Sequence, residues 1–136
     1  MYLSAPINRF YRPTIRISQG SAEISVEVRP DFYHAAEAVH GSVYFKMLDD
    51  ASFFAANSLV ESVFVLTASY NIYLLRPITE GVITSTGRVV SRSRRVFVAE
   101  ATLTDQDGKE LARGSGTFMK SDIQLAAEIG YRLEPS

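Results

Sequence analysis

"HGSVYFKMLDDASFFAANS" (residues 40–58) has the periodicity of a single long helix, and it is unusually apolar. Hydrophobic side chains occupy nearly the whole circumference of this helix, which is typical of a helix buried inside a protein. Two adjacent aspartates, Asp49 and Asp50, nevertheless lie at its centre. The position of the helix therefore decides the fold, and the two carboxylates need a separate explanation.

The two aspartates point to different sides of this helix, because successive residues are rotated by about 100°. Asp50 falls on a narrow polar stripe, four residues after Lys46, and this spacing predicts an ordinary ion pair on the protein surface. Asp49 shares its side of the helix with Phe45 and Phe53. A carboxylate among aromatic side chains is unfavourable unless it is paired or the site requires it, so Asp49 is the candidate functional group.

The start of the helix is a second candidate, because it carries His40, Gly41 and Ser42. Free backbone N–H groups at a helix start carry partial positive charge. A glycine there lets a ligand approach the backbone closely, which suits the stabilisation of an oxyanion. The alternative is a plain helix cap, in which Ser42 caps the helix and Gly41 makes the turn.

The sequence around the helix favours strands. Residues 21–29 alternate between apolar and polar side chains, as a half-buried strand does. Further strands are predicted over residues 64–77, 82–93, 94–105 and 109–121, and a short terminal helix over 123–133. Connections this short imply antiparallel pairing, so we expect an α+β fold. Because the helix is apolar nearly all round, we expect it to lie in the concave face of a curved sheet, which is the hotdog fold.

The composition of the chain limits which kinds of protein and binding partner are expected. The chain has 136 residues, of which 46% are hydrophobic, so we expect one domain over 1–136 with its core at about residues 20–120. A net charge of -1 favours neither nucleic acid nor an anionic membrane as partner. With no cysteine and two histidines, disulfides and a metal site are not expected. Neither a secretory signal nor a membrane span is evident, so we expect a cytoplasmic protein.

Three motifs occur in a recognisable order: HGSVYFKMLDD (40–50), NIYLLRPITEG (71–81), and the strands of 87–119 with their Asp-Gly hairpin. Together they resemble hotdog-fold acyl-CoA thioesterases, in particular the PaaI-like (phenylacetate-degradation) branch of the 4-hydroxybenzoyl-CoA thioesterase superfamily. That family has a His-Gly-Gly motif followed at fixed spacing by an aspartate, and a strand ending in Arg-Pro. The resemblance covers roughly residues 20–120.

The resemblance implies hydrolysis of a medium-chain or aryl acyl-CoA to a carboxylate and free coenzyme A. Asp49 matches the catalytic carboxylate, which acts as a base toward water or as a nucleophile. Gly41 matches the glycine whose N–H polarises the thioester carbonyl. Thr67 falls near a Ser or Thr that holds the attacking water, and His40 matches the motif histidine, which orders the loop. No cofactor is implied, because coenzyme A is part of the substrate.

Two positions depart from the family pattern. Ser42 stands in place of the second motif glycine, but it still supplies a backbone N–H toward the substrate. His34 stands where the nearest relatives often have an asparagine that positions substrate or water. A histidine there can replace the asparagine as a hydrogen-bonding group, can titrate near neutrality, or can be a loop residue without a role.

Arginines form a further candidate site. Arg88, Arg92, Arg94 and Arg95 surround the predicted turn between two strands, and Arg76 precedes Pro77. Guanidinium groups suit the pyrophosphate and the ribose phosphate of coenzyme A, so we expect Arg76, Arg92, Arg94 and Arg95 to bind substrate. The alternative is a solvated hairpin tip.

The helix also predicts a shared active site. Gly41 and Asp49 are eight residues apart, or about 12 Å along the helix axis, so one straight helix cannot bring both to one carbonyl carbon. An antiparallel helix of a second chain can. The family resemblance likewise implies a homodimer, or a homotetramer of two dimers, with the active site at the dimer interface.

Two other functions stay open at this stage. A hotdog dehydratase or hydratase would pair a catalytic histidine, here His34 or His40, with Asp49. A non-catalytic acyl-CoA binding protein would bind the thioester without turnover. Aromatic side chains in and near the helix either line an acyl pocket or belong to the core: Tyr33, Tyr44, Phe45, Phe53 and Phe54.

Overall fold

The computed structural model describes residues 2–60 and 63–124. The helices are α1 (Pro6–Tyr11), a 3-10 turn (Pro30–Phe32) and α2 (Gly41–Asn57). The strands are β1 (Thr14–Ser18), β2 (Ser21–Glu27), β3 (Val63–Leu74), β4 (Val82–Arg92), β5 (Val96–Thr104) and β6 (Glu110–Gln124). The predicted long helix and five strands are confirmed, whereas α1 and β1 were not predicted. Of the helix predicted over 123–133, residues 123–124 belong to β6 and the rest lies outside the described residues.

All six strands form one sheet in the order β1-β2-β4-β5-β6-β3, and every neighbouring pair is antiparallel. Helix α2 packs across this sheet and contacts all of its strands. This is the hotdog fold expected from the sequence. Strands β1 and β3 form the two edges of the sheet. Within the described ranges, no helix has both the length and the apolar character that crossing a bilayer requires.

Helix α2 lies against the sheet because β4 has a glycine at the point of contact. A Cβ atom at Gly87 would lie 2.4 Å from the carbonyl carbon and oxygen of Ala51, a distance that no side chain tolerates. The contact lets Met47 and Leu48 of the helix pack with Phe97 and other sheet residues, all with 1% or less of their surface exposed. Burial on several sides explains why the helix is apolar nearly all round.

The polar stripe of α2 was predicted to lie on the protein surface, but in the structure it is largely shielded from solvent. Lys46 and Asp50 do form an ion pair, with 2.6 Å between Nζ and Oδ2, but only 12% and 17% of their side chains are exposed. The chain before β1 folds back over the pair, so that the Lys46 ammonium lies 5.3 Å from the ring centre of Tyr2 and 5.0 Å from that of Tyr11. The expected surface pair is therefore an ion pair under an aromatic cover.

Candidate active site

Asp49 lies in the middle of α2 and is held by β3. The hydroxyl of Thr67 donates a hydrogen bond to Oδ1 of Asp49, with 2.9 Å between the oxygens. Burial raises the pKa of Asp49 to about 6, and the adjacent Asp50 charge adds to the rise. The hydrogen bond from Thr67 and the charge of Lys46 oppose it. The carboxylate thus accepts a hydrogen bond from Thr67, which the resemblance assigned to holding the attacking water, and its pKa lies well above the ordinary value of an aspartate.

A β-bulge in β3 brings two side chains to this part of the helix. Thr67 pairs with Phe118 and Ser69 with Thr117, so that Ala68 is the extra residue of the bulge. In a regular strand, residues three apart point to opposite faces. Because of the bulge, Thr67 and Tyr70 both reach the helix: Thr67 contacts Asp49, and Tyr70 contacts the turn around it.

The start of α2 is capped by His40. Its Nδ1 accepts a hydrogen bond from the Ser42 N–H at 3.0 Å and lies 2.8 Å from the Ser42 hydroxyl. The alternative in which Ser42 caps the helix is therefore wrong, because the acceptor comes from the preceding histidine ring. The Gly41 N–H, at the first position of the helix, meets no acceptor within residues 2–60 and 63–124. It is available to a ligand.

A pocket of about 390 Å³ opens at this end of the helix. Its lining includes His34, Gly41, Tyr44, Leu74, Leu75 and Arg76. The Tyr44 hydroxyl donates to the carbonyl oxygen of Arg76 at 2.7 Å and holds that segment against the helix. A Cβ atom on Gly41 would make only an ordinary contact, 3.5 Å from Leu74. The pocket brings together three predicted site residues: His34, Gly41 and Arg76.

Asp49 and Thr67 do not line this pocket. Along the helix axis Asp49 is about 12 Å from Gly41. In the described part of the chain, neither His34 nor His40 forms a hydrogen bond with Asp49. One chain therefore presents the predicted site as two separate halves, one around Gly41 and one around Asp49.

The predicted arginine cluster is likewise divided. Arg94 and Arg95 are exposed at the β4–β5 turn, where the carbonyl of Arg95 accepts from the N–H of Lys120. Lys120 pairs with Val65, so this turn lies at the Asp49 end of β3, whereas Arg76 lies in the Gly41 pocket. The Arg92 guanidinium lies 5.9 Å from the ring centre of Phe97. On β4, Arg88 forms an ion pair with Glu100 at 2.5 Å and does not belong to the tip.

The aromatic side chains in and near α2 fall into buried and exposed groups. Tyr44, Phe53 and Phe54 are buried in the core, although Tyr44 also lines the pocket, and Tyr33 is half-buried. Phe45 is 42% exposed. In the residues that the structure describes, no cluster of three His, Asp or Glu side chains could hold a metal ion.

Tyr70 is a neighbour of the turn around Asp49 that the sequence analysis missed. The available signal was the alternation of Gly114 and Gly116 in β6, because a Cβ atom at either position would overlap the Tyr70 ring, 2.4 Å and 2.3 Å from its nearest atoms. Glycines at alternate positions indicate that a large side chain lies on that face of the strand. Which side chain lies there depends on the pairing of β3 with β6.

Known proteins resemble the chain in both sequence and structure. A family model described as Thioesterase superfamily matches residues 36–112. "Putative esterase Rv1847" of Mycobacterium tuberculosis is 31% identical over 97 residues, which cover 68% of this chain and 69% of that protein. The solved structure of the same esterase superposes with a TM-score of 0.81 at 24% identity, covering 86% of this chain and 97% of that chain.

Two further solved structures come from proteins that are described in connection with phenylacetic acid degradation. The PaaI protein of E. coli superposes with a TM-score of 0.85 at 20% identity, covering 93% of this chain and 91% of that chain. A thioesterase-like protein of Ralstonia eutropha JMP134, described as a phenylacetic acid degradation-related protein, has a TM-score of 0.77 at 26% identity, covering 85% of this chain and 89% of that chain. The similarity to PaaI concerns the fold.

Proposed function

The chain belongs to the thioesterase superfamily, and from this premise we propose that it hydrolyses an acyl-CoA thioester to a carboxylate and free coenzyme A. Membership of the family makes the protein a thioester hydrolase; the choice of coenzyme A as the thiol and of individual residues is the proposal. The observation that carries it is the Asp49 carboxylate, whose pKa is raised to about 6 by burial and which is bound by Thr67.

Asp49 acts as the general base in the proposed mechanism. A carboxylate with a pKa near 6 is ionised at neutral pH and still accepts a proton well, which is the balance that general base catalysis needs. It removes a proton from water, and the water oxygen attacks the thioester carbonyl carbon. The unpaired N–H of Gly41 stabilises the negative charge that develops on the carbonyl oxygen. The tetrahedral intermediate then collapses and expels the thiolate of coenzyme A.

Two chains combine to form each proposed site. In one chain, Gly41 and Asp49 belong to two separate halves of the predicted site. Each half therefore has to be completed by the other half from a partner chain. Strand β3 is an edge strand on which Leu66, Tyr73 and Leu74 are 47%, 63% and 53% exposed, and it carries residues of both halves. We propose a homodimer with antiparallel α2 helices, which sets the Gly41 pocket of one chain against Asp49 of the other.

The same dimer brings the predicted substrate-binding arginines of the two chains close together. Arg76 of one chain and Arg94 and Arg95 of the other come to one side of the shared site, because within one chain Arg76 lies in the Gly41 pocket and Arg94 and Arg95 lie near the Asp49 end of β3. Their charges suit the phosphates of coenzyme A. The acyl group is medium-chain or aryl and lies toward Phe45, the aromatic side chain of α2 that is exposed on the Asp49 side.

A thiol-release assay over a panel of medium-chain and aryl acyl-CoA thioesters tests the proposed reaction. Free coenzyme A and the carboxylate should appear in equal amounts. An enoyl-CoA in the same panel distinguishes hydrolysis from hydration, because hydration adds water to the double bond and leaves the thioester intact. Hydration without thiol release, or tight binding without any turnover, would contradict the proposal.

Mixed dimers test the shared site. We expect Asp49→Asn chains and Gly41→Pro chains to be nearly inactive alone, since the first lacks the base and the second lacks the N–H. When the two variants are unfolded, mixed and refolded together, about half of the dimers carry one chain of each kind, and each of these has one intact site. Activity should therefore return to roughly a quarter of wild type. No recovery from verified mixed dimers, or full activity in a monomer, would exclude the shared site.

A further inference from the structure

We infer that Tyr70 is a positioning residue, which holds the helical turn that carries Asp49 through hydrogen bonds to Ser52 and Leu48. This role deepens the proposed function and rests on it. The contacts occupy both sides of the aspartate: Leu48 precedes Asp49, and Ser52 follows three residues later. Thr67 contacts the carboxylate itself, so β3 attaches to this turn at three points.

The Tyr70 hydroxyl lies between the helix and the sheet. Its oxygen is 2.9 Å from that of the Ser52 hydroxyl, and its O–H donates to the carbonyl oxygen of Leu48 at 3.1 Å. Ser52 is fully buried, and a buried hydroxyl without a partner is costly. These two hydrogen bonds therefore define one rotation of the helix relative to β3, and with it one position of the Asp49 carboxylate.

The ring of Tyr70 is held as firmly as its hydroxyl. It occupies a slot made by two glycines of β6, Gly114 and Gly116, at which any Cβ atom would overlap it. Phe45 meets the ring edge-on, with 5.8 Å between ring centres, and Phe118 packs at 6.4 Å. A ring fixed on three sides gives the hydroxyl little freedom, so the contact with the helix is preorganised.

The β-bulge at Ala68 makes this arrangement possible. Without the extra residue, Tyr70 would point away from the helix when Thr67 points toward it. With it, one short segment supplies both the hydrogen bond to the carboxylate and the attachment of the turn. This is the reason to assign Tyr70 to the site rather than to general core packing.

The charged and titratable groups around Asp49 come from three elements. Asp50 and Lys46 lie on its own helix, Tyr70 on β3, and Glu100 on β5, where it acts on Tyr70. Burial raises the pKa of Tyr70 to about 12, so its hydroxyl stays protonated and can donate throughout the working range. A change in the Asp49 titration of a Tyr70 variant therefore reports a change in the surroundings of Asp49.

The test uses Tyr70→Phe, which keeps the ring in its slot and removes only the hydroxyl. We expect kcat to fall about tenfold with KM within about twofold, because displacement of a catalytic group by a fraction of an ångström costs this much. We also expect the Asp49 pKa, followed by 13C NMR of labelled aspartate, to move from about 6 toward the 3.8 of an ordinary solvated aspartate, since water gains access to a loosened turn.

Matched variants separate positioning from stability. Ser25→Ala removes one hydroxyl of a part-buried pair formed with Thr84 between β2 and β4, away from Asp49 and from the β3 edge, and should change neither kcat nor the Asp49 pKa. Ser52→Ala removes the other hydroxyl of the contact and should shift kcat and the pKa in the same direction as Tyr70→Phe. In an Asp49→Asn background, Tyr70→Phe should cause no further loss, because its effect passes through the aspartate.

The thiol-release assay and the NMR titration of Asp49 test the proposed function and this inference separately. If the wild-type protein releases no thiol from any thioester, the proposed function is wrong, while the NMR titration still tests the contact between Tyr70 and the Asp49 turn. An Asp49 pKa that is the same in Tyr70→Phe and wild type would overturn the inference. So would an equal fractional loss of kcat with and without the Asp49 carboxylate.

Discussion

At the level of single residues, Asp49 and Asp50 show how two adjacent carboxylates take on opposite tasks. Asp50 pairs with a lysine under an aromatic cover, whereas Asp49 forms no ion pair with the described residues and accepts a hydrogen bond from the Thr67 hydroxyl. An ion pair stabilises the charged carboxylate, while burial without a cation destabilises it. The first arrangement supports the fold, and the second keeps a base available.

Substitution of the two aspartates should therefore give opposite profiles. Asp49→Asn should lower kcat at least ~100-fold, the lower end of what general acid–base catalysis contributes. Asp50→Asn should lower kcat less than about tenfold, but it should reduce the free energy of unfolding by roughly 1–3 kcal/mol, because Lys46 loses its partner in a largely buried position. Steady-state kinetics and denaturant unfolding measure both effects. A larger kcat loss for Asp50→Asn would reverse the assignment.

The raised pKa of Asp49 predicts the pH dependence of activity. Only the ionised carboxylate can accept a proton from water, so kcat/KM should fall about tenfold per pH unit below an apparent pKa of about 6. Thr67→Val removes the hydrogen bond that lowers this pKa, so the acid limb of the profile should move to higher pH. Thr67→Ser retains the hydroxyl and serves as the control. An acid limb that stays in place in Thr67→Val would argue against Asp49 as the titrating group.

The same pKa predicts a stability effect with a definite sign. The folded protein holds a proton on Asp49 up to about pH 6, whereas the unfolded chain loses it near 3.8. The contribution of Asp49 to the free energy of unfolding is thus complete below about pH 4 and is lost as the pH rises through 6. Asp49→Asn should accordingly melt above wild type at pH 7.5 and at the same temperature near pH 3.5. A lower melting temperature for the variant at pH 7.5 would contradict the assignment.

At the level of secondary structure elements, the contact between α2 and β4 depends on one glycine. Gly87→Ala would place a methyl group 2.4 Å from backbone atoms of Ala51, which cannot move aside as a side chain can. We expect the free energy of unfolding to fall by about 3 kcal/mol or more, at the upper end for overpacking. Thermal and denaturant unfolding measure this loss.

Gly41→Ala is the matched control for that substitution. Its methyl group would lie 3.5 Å from Leu74, an ordinary contact, so stability should change little. Turnover should nevertheless fall, because the methyl group lies where the substrate approaches the Gly41 N–H. Equal loss of stability in the two alanine variants would show that Gly41 has a packing role as well.

At the level of the whole molecule, the arginines in the two separate halves of the site predict how the substrate lies across the dimer. Arg94→Ala with Arg95→Ala should raise KM for acyl-CoA about tenfold and leave kcat nearly unchanged, since charge-assisted contacts to phosphate are lost. A truncated pantetheine thioester lacks the phosphates and should show almost no change in KM. Equal effects on both substrates would indicate a structural role for the hairpin.

Arg88→Ala is the control for the double variant. It removes an arginine that is ion-paired with Glu100 on β4 rather than located at the turn, so KM for acyl-CoA should be unaffected. A rise in KM for Arg88→Ala as large as for the double variant would mean that net charge, rather than the position of the arginines, governs substrate binding.

The sequence by itself determined the elements and the identity of the candidate base. Periodicity is a local property of the chain, so α2, five of the strands and their antiparallel connection could be predicted from neighbouring residues. The angular separation of Asp49 from Asp50 follows from the same helical repeat, and the Lys46–Asp50 pair formed as that repeat predicts. Family resemblance added Gly41 and Thr67 as candidates, of which Thr67 contacts Asp49.

Only the tertiary structure decided which residues surround these elements. Tyr2 and Tyr11, which cover Lys46, lie more than thirty residues before it in the sequence, so no local pattern predicts this contact. The bulge at Ala68 depends on the register between β3 and β6, and that register turns Tyr70 toward the Asp49 turn. Contacts of this kind form between residues distant in sequence, because the fold brings together faces that each segment, taken alone, would leave exposed.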